Sequence, residues 1–230
     1  MQLLAKGLWQ LSGFPRHWFN VYLAEDVLID AATRWAKRRI LRQLAKHSVR
    51  MVALTHCHPD HQGAAKVVCD QFSVPLACHE ADAAAVEGRG PMLPQNRIIR
   101  LGQRIWAGPP CLVGRLLRDG DDVAGFRVVH TPGHTPGHVL FFRPEDRVTI
   151  MGDLLFNVSF LTGRPGLREP PRVFSADKAE NRRSIQTLVS LKPSLVCFGH
   201  GPPLRNPALI ERFLARRVKL SEPVLHPACG

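Results

Sequence analysis

Short, almost wholly apolar blocks recur along this chain at Val49–Leu54, Val139–Phe142, Val148–Met151 and Leu195–Phe198, each followed by a polar or glycine-bearing cluster. Blocks of that length, rich in β-branched residues, predict strands buried on both faces. Residues 18–24 and 26–31 read as two further strands around a tight turn, and 74–78 and 126–129 as two more. Between these lie stretches whose apolar residues recur every three or four positions. They predict helices over 32–47, 62–71, 80–87, 176–190 and 207–220. Residues 88–120, crowded with Gly, Pro and Arg, yield no assignment. Strands alternating with helices, with polar clusters where strands end, imply a layered α/β protein whose site lies along one sheet edge.

Composition adds limits. At 230 residues, with 45% hydrophobic and 22% charged positions, the chain is expected to form a single domain over 1–230 with a substantial core. No run approaches the roughly 20 apolar residues of a membrane span, and the first residues lack the pattern of a secretion signal. The expectations are therefore no membrane and a cytoplasmic location. Six scattered cysteines without a Cys-x-x-Cys pair read as free thiols. The net charge of +12 favours an anionic small-molecule substrate. Nucleic acid is a partner that charge alone allows but does not favour. The local basic run from Arg34 to Arg50 reads as a solvated helix face.

The chemistry concentrates in Thr55-His-Cys-His-Pro-Asp-His-Gln-Gly63. Alternate side chains of an extended segment point the same way, so His56 and His58 can grip one ion while Cys57 faces away. The turn begun by Pro59 can swing Asp60 and His61 towards a second ion. Three more pieces fit. The tight turns of His130-Thr-Pro-Gly-His134-Thr-Pro-Gly-His138 can aim His134 inward. Asp153 ends one apolar strand, and His200, between glycines, follows another.

Together these residues resemble the metallo-β-lactamase superfamily from about residue 18 to 205, closest in motif style to its hydroxyacyl-glutathione hydrolase-like members. The resemblance implies a four-layer αββα sandwich with metals at the sheet edge. It implies that His56, His58 and His134 hold the first metal, that Asp60, His61 and His200 hold the second, and that Asp153 bridges both. Asp30 and His138 then stand behind the ligands and orient them. Two divalent ions are implied, zinc foremost, with iron or manganese compatible with the same donors. Such a pair lowers the pKa of a shared water from about 16 towards 7, giving a metal-bridging hydroxide for hydrolysis. Asp60 would also orient that nucleophile and carry a proton to the leaving group.

Departures narrow the substrate. The most studied β-lactamases place a cysteine or another residue where Asp153 stands, which disfavours antibiotic hydrolysis. Quorum-quenching lactonases use a tyrosine after the bridging Asp, whereas Tyr22 is the one tyrosine here. Hydroxyacyl-glutathione hydrolases carry a helical C-terminal domain for which the residues after His200 leave no room, and flavin-bearing members need a second domain. The expectation is a dinuclear hydrolase of esters, thioesters or lactones, with residues 156–175 looping over the site. The alternatives are a phosphodiesterase or nuclease of the same fold, and a mononuclear-iron thiol dioxygenase.

Overall fold

The computed structural model describes residues 1–221, with side chains to residue 215. A seven-stranded mixed sheet takes strands in chain order: β1 (Gln2–Ala5), β2 (Leu8–Gln10), β3 (Tyr22–Ala24), β4 (Val27–Ile29), β5 (Met51–Ala53), β6 (Leu76–His79) and β7 (Val113–Leu117). Its first four strands pair antiparallel, and β4 to β7 run parallel. The second sheet has the order β12-β11-β10-β9-β8, built from β8 (Asp122–Val123), β9 (Phe126–His130), β10 (Val139–Arg143), β11 (Val148–Ile150) and β12 (Leu195–Cys197). Here only the β11–β12 pair is parallel.

Side-chain alternation along the strands separates the layers. Tyr22, Ala24, Val27, Ile29, Met51 and Ala53 face Val139, Phe141, Ile150 and Cys197 in a core between the two sheets. Leu23, Leu28 and Val52 point the other way, onto Ile40, Leu44 and Val68. Those come from α1 (Lys37–Leu44) and α3 (Ala65–Phe72), which join α2 (Pro59–Gln62), α4 (Glu80–Val86) and α5 (Arg97–Trp106). On the far side, Leu140, Phe142 and Val196 meet Ile185 and Leu188 of α6 (Lys178–Ser190) and Ile210 of α7 (Ala208–Ser221). The result is helix, sheet, sheet, helix: the expected four-layer sandwich.

Several elements differ from the sequence reading. The helix expected over 32–47 is a 3-10 turn, Arg34–Ala36, followed by α1. Its arginines are not all solvated, because Arg34 and Arg39 donate to the carbonyls of Ile105 and Ser12. The helix expected over 62–71 is two pieces that break at Gly63. A Cβ there would lie 2.4 Å from the Arg34 nitrogen and 2.5 Å from the Trp106 carbonyl oxygen, so two chain segments pass where no side chain fits. Residues 88–120 supply α5, capped by the Asn96 side chain on the amides of Ile98 and Ile99, and then β7. The N-terminal hairpin β1–β2 was not anticipated at all. No helix among the described residues is long and apolar enough to cross a membrane.

The strand ends converge. Asp30 follows β4, the histidine motif follows β5, His134 lies between β9 and β10, Asp153 follows β11 and His200 follows β12. One edge of the sandwich thus collects every candidate side chain.

Candidate metal centre

Pro59 opens α2, where its missing amide costs nothing, and His58 takes the extended N-cap position. That turn separates the motif into two faces. His56, His58 and His134 bring one ring nitrogen each to a common point, and Asp60, His61 and His200 gather their donor atoms at a neighbouring one. Asp153 lies between them. Its Oδ2 is 3.1 Å from His200 Nε2, 3.4 Å from His61 Nε2, 3.5 Å from His134 Nε2 and 3.9 Å from His56 Nε2. Asp60 Oδ2 stands 3.4 Å from His200 Nε2 and is the least buried of the set. Cys57 packs into the core instead, as its position in the extended segment requires.

The outer ring nitrogens are fixed by a second layer of bonds. Asp30 Oδ2 accepts from His61 Nδ1 at 2.8 Å, so Nε2 of His61 faces inward. Thr55 donates its hydroxyl to Asp30 at 2.8 Å and, at 3.0 Å, takes the Nδ1–H of His56. His58 Nε2 donates to the Leu93 carbonyl at 2.9 Å, leaving Nδ1 for the interior. His200 Nδ1 donates to the carbonyl of Trp18. His138 donates from Nδ1 to Thr131 Oγ1 at 2.9 Å, and its Nε2 accepts the Asp153 amide at 3.1 Å.

Three supports were invisible in the sequence. Asp82 of α4, fully buried, accepts from the Cys57 amide (2.9 Å), the Thr135 hydroxyl (2.7 Å) and the Gly137 amide (2.8 Å), tying the two histidine loops together. Asn20 donates to the carbonyls of Phe198 and Gly201, and Tyr22 donates to that of Phe198, so the loop bearing His200 hangs from the first sheet. An acidic residue in a helix's first turn, an asparagine before a strand and a tyrosine opening that strand carry no signal of such roles. Gly199 completes the fit, since a Cβ there would lie 2.1 Å from Asp153 Oδ1.

Protonation follows the grouping. Burial, aided by neighbouring imidazoles, holds His56 and His134 well below the ordinary histidine value, so both are neutral bases. Burial holds His138 down to about 3. Burial also opposes charge on His61 and His200, but carboxylates outweigh it: Asp153 and Asp30 keep His61 well above its usual value, and Asp153 with Asp60 raises His200 to about 10. In turn His200 and His61 overcome the burial of Asp153 and hold it ionised.

A metal fits these residues. His56 Nε2, both ring nitrogens of His134 and Asp153 Oδ1 are buried without a hydrogen-bond partner among the described residues. Buried polar atoms are rarely left so, and imidazole with carboxylate is a donor set for zinc, iron or manganese.

Aromatic rings pack beside His200. Phe156 and Phe160, in the 156–175 segment, lie 4.8 and 5.2 Å from the His200 ring, and Trp18 lies 5.4 Å from Phe160.

The sequence matches the metallo-beta-lactamase superfamily over residues 20–200, the span that carries this whole constellation. The chain belongs to that superfamily. It is similar to the probable metallo-hydrolase YybB of Bacillus subtilis (strain 168), with 30% identity over 88% of both chains. It is also similar to the crystal structure of TTHA1623 in a di-iron-bound form, at 31% identity and TM-score 0.68, covering 86% of this chain and 94% of that one. The BLEG-1 B3 metallo-beta-lactamase is 25% identical, at TM-score 0.68, over 94% of this chain and 100% of its own. Membership makes the chain a metallo-hydrolase at family level, with a His/Asp cluster suited to divalent metal.

Proposed function

We propose that this superfamily member is a dinuclear hydrolase of an ester, thioester or lactone, and that residues 1–230 form one domain around its centre. His56, His58 and His134 would hold one ion, Asp60, His61 and His200 the other, and Asp153 both. The observation that carries this reading is the single Asp153 oxygen set among the Nε2 atoms of four histidines drawn from both groups. One carboxylate oxygen within reach of both ligand sets supports a pair of ions sharing it. The di-iron form of TTHA1623 supports two ions and leaves zinc and iron both eligible.

When bound, the ions would supply Lewis acidity, polarising the substrate oxygen and acidifying water towards neutral pH. The chain's own groups do the rest. Asp60, ionised and at the accessible side of the cluster, is placed to orient the attacking water and to return a proton to the leaving oxygen or sulfur. Phe160 and Trp18, partly exposed beside the buried Phe156, would exclude water from the His200 side and offer an apolar surface to an acyl group. Asp30, Thr55 and His138 hold ligand orientation through the reaction.

Metal analysis of the purified protein, followed by assay on esters, thioesters, lactones, β-lactams and phosphodiesters, tests the reading. Two ions per chain with turnover confined to acyl substrates is expected. Phosphodiester turnover that falls steeply with salt would favour the phosphodiesterase, and one iron with oxygen uptake would favour the dioxygenase.

A further inference from the structure

Helix α5 turns apolar side chains outward. Its Ile98, Leu101 and Ile105 are 48%, 56% and 42% exposed. Spaced at i, i+3 and i+7, they share one stripe of the helix surface. The stripe continues past both helix ends. Before the first turn the Asn96 side chain donates to the Val173 carbonyl at 2.7 Å, and at the last turn Trp35 Nε1 donates to the Ile105 carbonyl at 3.0 Å. Val173 and Trp35 are themselves 39% and 71% exposed. Five apolar residues thus form a ridge that no described residue covers.

Positive charge accompanies the ridge. Arg97, Arg100 and Arg104, exposed and also at helical spacing, form a second row alongside the apolar one. None of the three has a carboxylate partner among the described residues. Arg34 stands over the Trp35 ring, 5.4 Å from its centroid. Residues 31–59 and 88–118, which supply α1 and α5, contain no Asp or Glu. A second copy of the chain would bring more positive charge to a face that has no acidic counterweight. An anionic bilayer answers both features, because its phosphates accept from guanidinium groups and its interfacial layer takes apolar side chains.

We propose that α5, with Trp35 and Val173, is a docking surface for a membrane leaflet rich in anionic phospholipid. Ile98, Leu101, Ile105 and Trp35 enter the boundary between headgroups and acyl chains, and the arginine row lies on the phosphates. Tryptophan is favoured at that depth. The chain lies on the bilayer and does not cross it through α5, whose 10 residues fall far short of a membrane span. Charge and apolar contact act together, so removing either should release the protein.

The test sediments metal-loaded protein with vesicles of equal parts phosphatidylglycerol and phosphatidylcholine, and with vesicles of phosphatidylcholine alone. Binding to the first, weakening with salt, and none to the second is expected. Arg97→Gln, Arg100→Gln and Arg104→Gln together should weaken binding about 100-fold, a factor of about five per arginine. Removing as many charges elsewhere, by Arg127→Gln, Arg147→Gln and Arg212→Gln, should cost less than about a tenth of that. Ile98→Ser, Leu101→Ser and Ile105→Ser together, all at exposed positions, should weaken binding about tenfold or more with every charge kept. Wild-type protein that ignores the anionic vesicles, or binds both kinds alike, overturns the proposal. Equal losses from the two arginine sets, or full binding by the serine variant, overturn it too. A serine variant that instead breaks up an oligomer would assign the ridge to a second copy.

Discussion

The backbone amide of Asp153 donates to Nε2 of His138 at 3.1 Å, so the proposed bridging carboxylate is positioned through its own main chain. His138 can accept that bond because burial keeps it neutral and Thr131 takes the proton on its other nitrogen. His138→Leu preserves bulk and removes the acceptor. Metal affinity should fall by about 10–100-fold, the usual scale for groups behind the ligands. Competition against a chromophoric chelator measures it, and unchanged affinity would reduce His138 to packing.

Asp30 acts on the other side of the cluster through His61. In Asp30→Asn the site keeps its shape but loses the carboxylate that fixes the His61 tautomer. Stepwise chelation followed by elemental analysis should show one ion leaving about 10–100-fold more readily, with the other retained. Equal loss of both ions would contradict separate ligand sets.

Asp60 tests the chemistry rather than the binding. Asp60→Asn keeps volume and removes the charge that would move protons, so kcat should fall by about 10²–10⁴ on the true substrate. Near-full activity with full metal content would make Asp60 a purely structural ligand.

Metal uptake should release protons. Without metal, His200 titrates near 10 and His61 well above its ordinary value, so both are protonated at neutral pH. An ion must displace those protons, and apparent affinity therefore rises with pH until His200 is deprotonated, then levels off. Titration calorimetry in buffers of different ionisation heat counts the protons. A binding heat independent of buffer would show that the rings are already neutral.

Asp82 touches no proposed ligand side chain, yet three donors end on it. A hydrogen bond to a charged group contributes about 1.5–3 kcal/mol, and Asp82→Ala strands all three donors in a buried site. The metal-free protein should lose about 3–5 kcal/mol in denaturant unfolding. A loss under about 1 kcal/mol would mean that water replaces the carboxylate without cost.

The candidate metal centre was legible in the sequence because four of its side chains sit within His56–His61 and the rest follow apolar strands. Asp30 and His138 were legible only through the resemblance to a family. Asp82, Asn20 and Tyr22 were not, because their partners are backbone groups brought near by tertiary contact, and a helical aspartate looks the same whether it is solvated or enclosed. The strand pattern gave both sheets apart from β1, β2, β7 and β8: β8 is only two residues long, and β7 lies in the Gly-, Pro- and Arg-rich stretch that yields no assignment. Helix α5 was hidden by the same stretch. Its apolar residues Ile98, Leu101 and Ile105 do recur at helical spacing, but they lie in a stretch crowded with Gly, Pro and Arg that obscures the pattern. The Asn96 cap adds a second signal for its start.

The proposed ligands divide unevenly along the chain: His56, His58, Asp60 and His61 precede residue 120, while His134, Asp153 and His200 follow it. During synthesis the first group emerges early, with three imidazoles and a carboxylate displayed and no bridging oxygen between them. The bridge arrives with β11, and the last imidazole only when α6 has carried the chain over to set β12 parallel beside β11. On the proposed ligand assignment, a nascent chain would hold an ion only loosely until His200 has cleared the ribosome and docked. If both proposed ions bind, their firm retention would certify that the two sheets have met, making the cofactor an inspector of the finished fold.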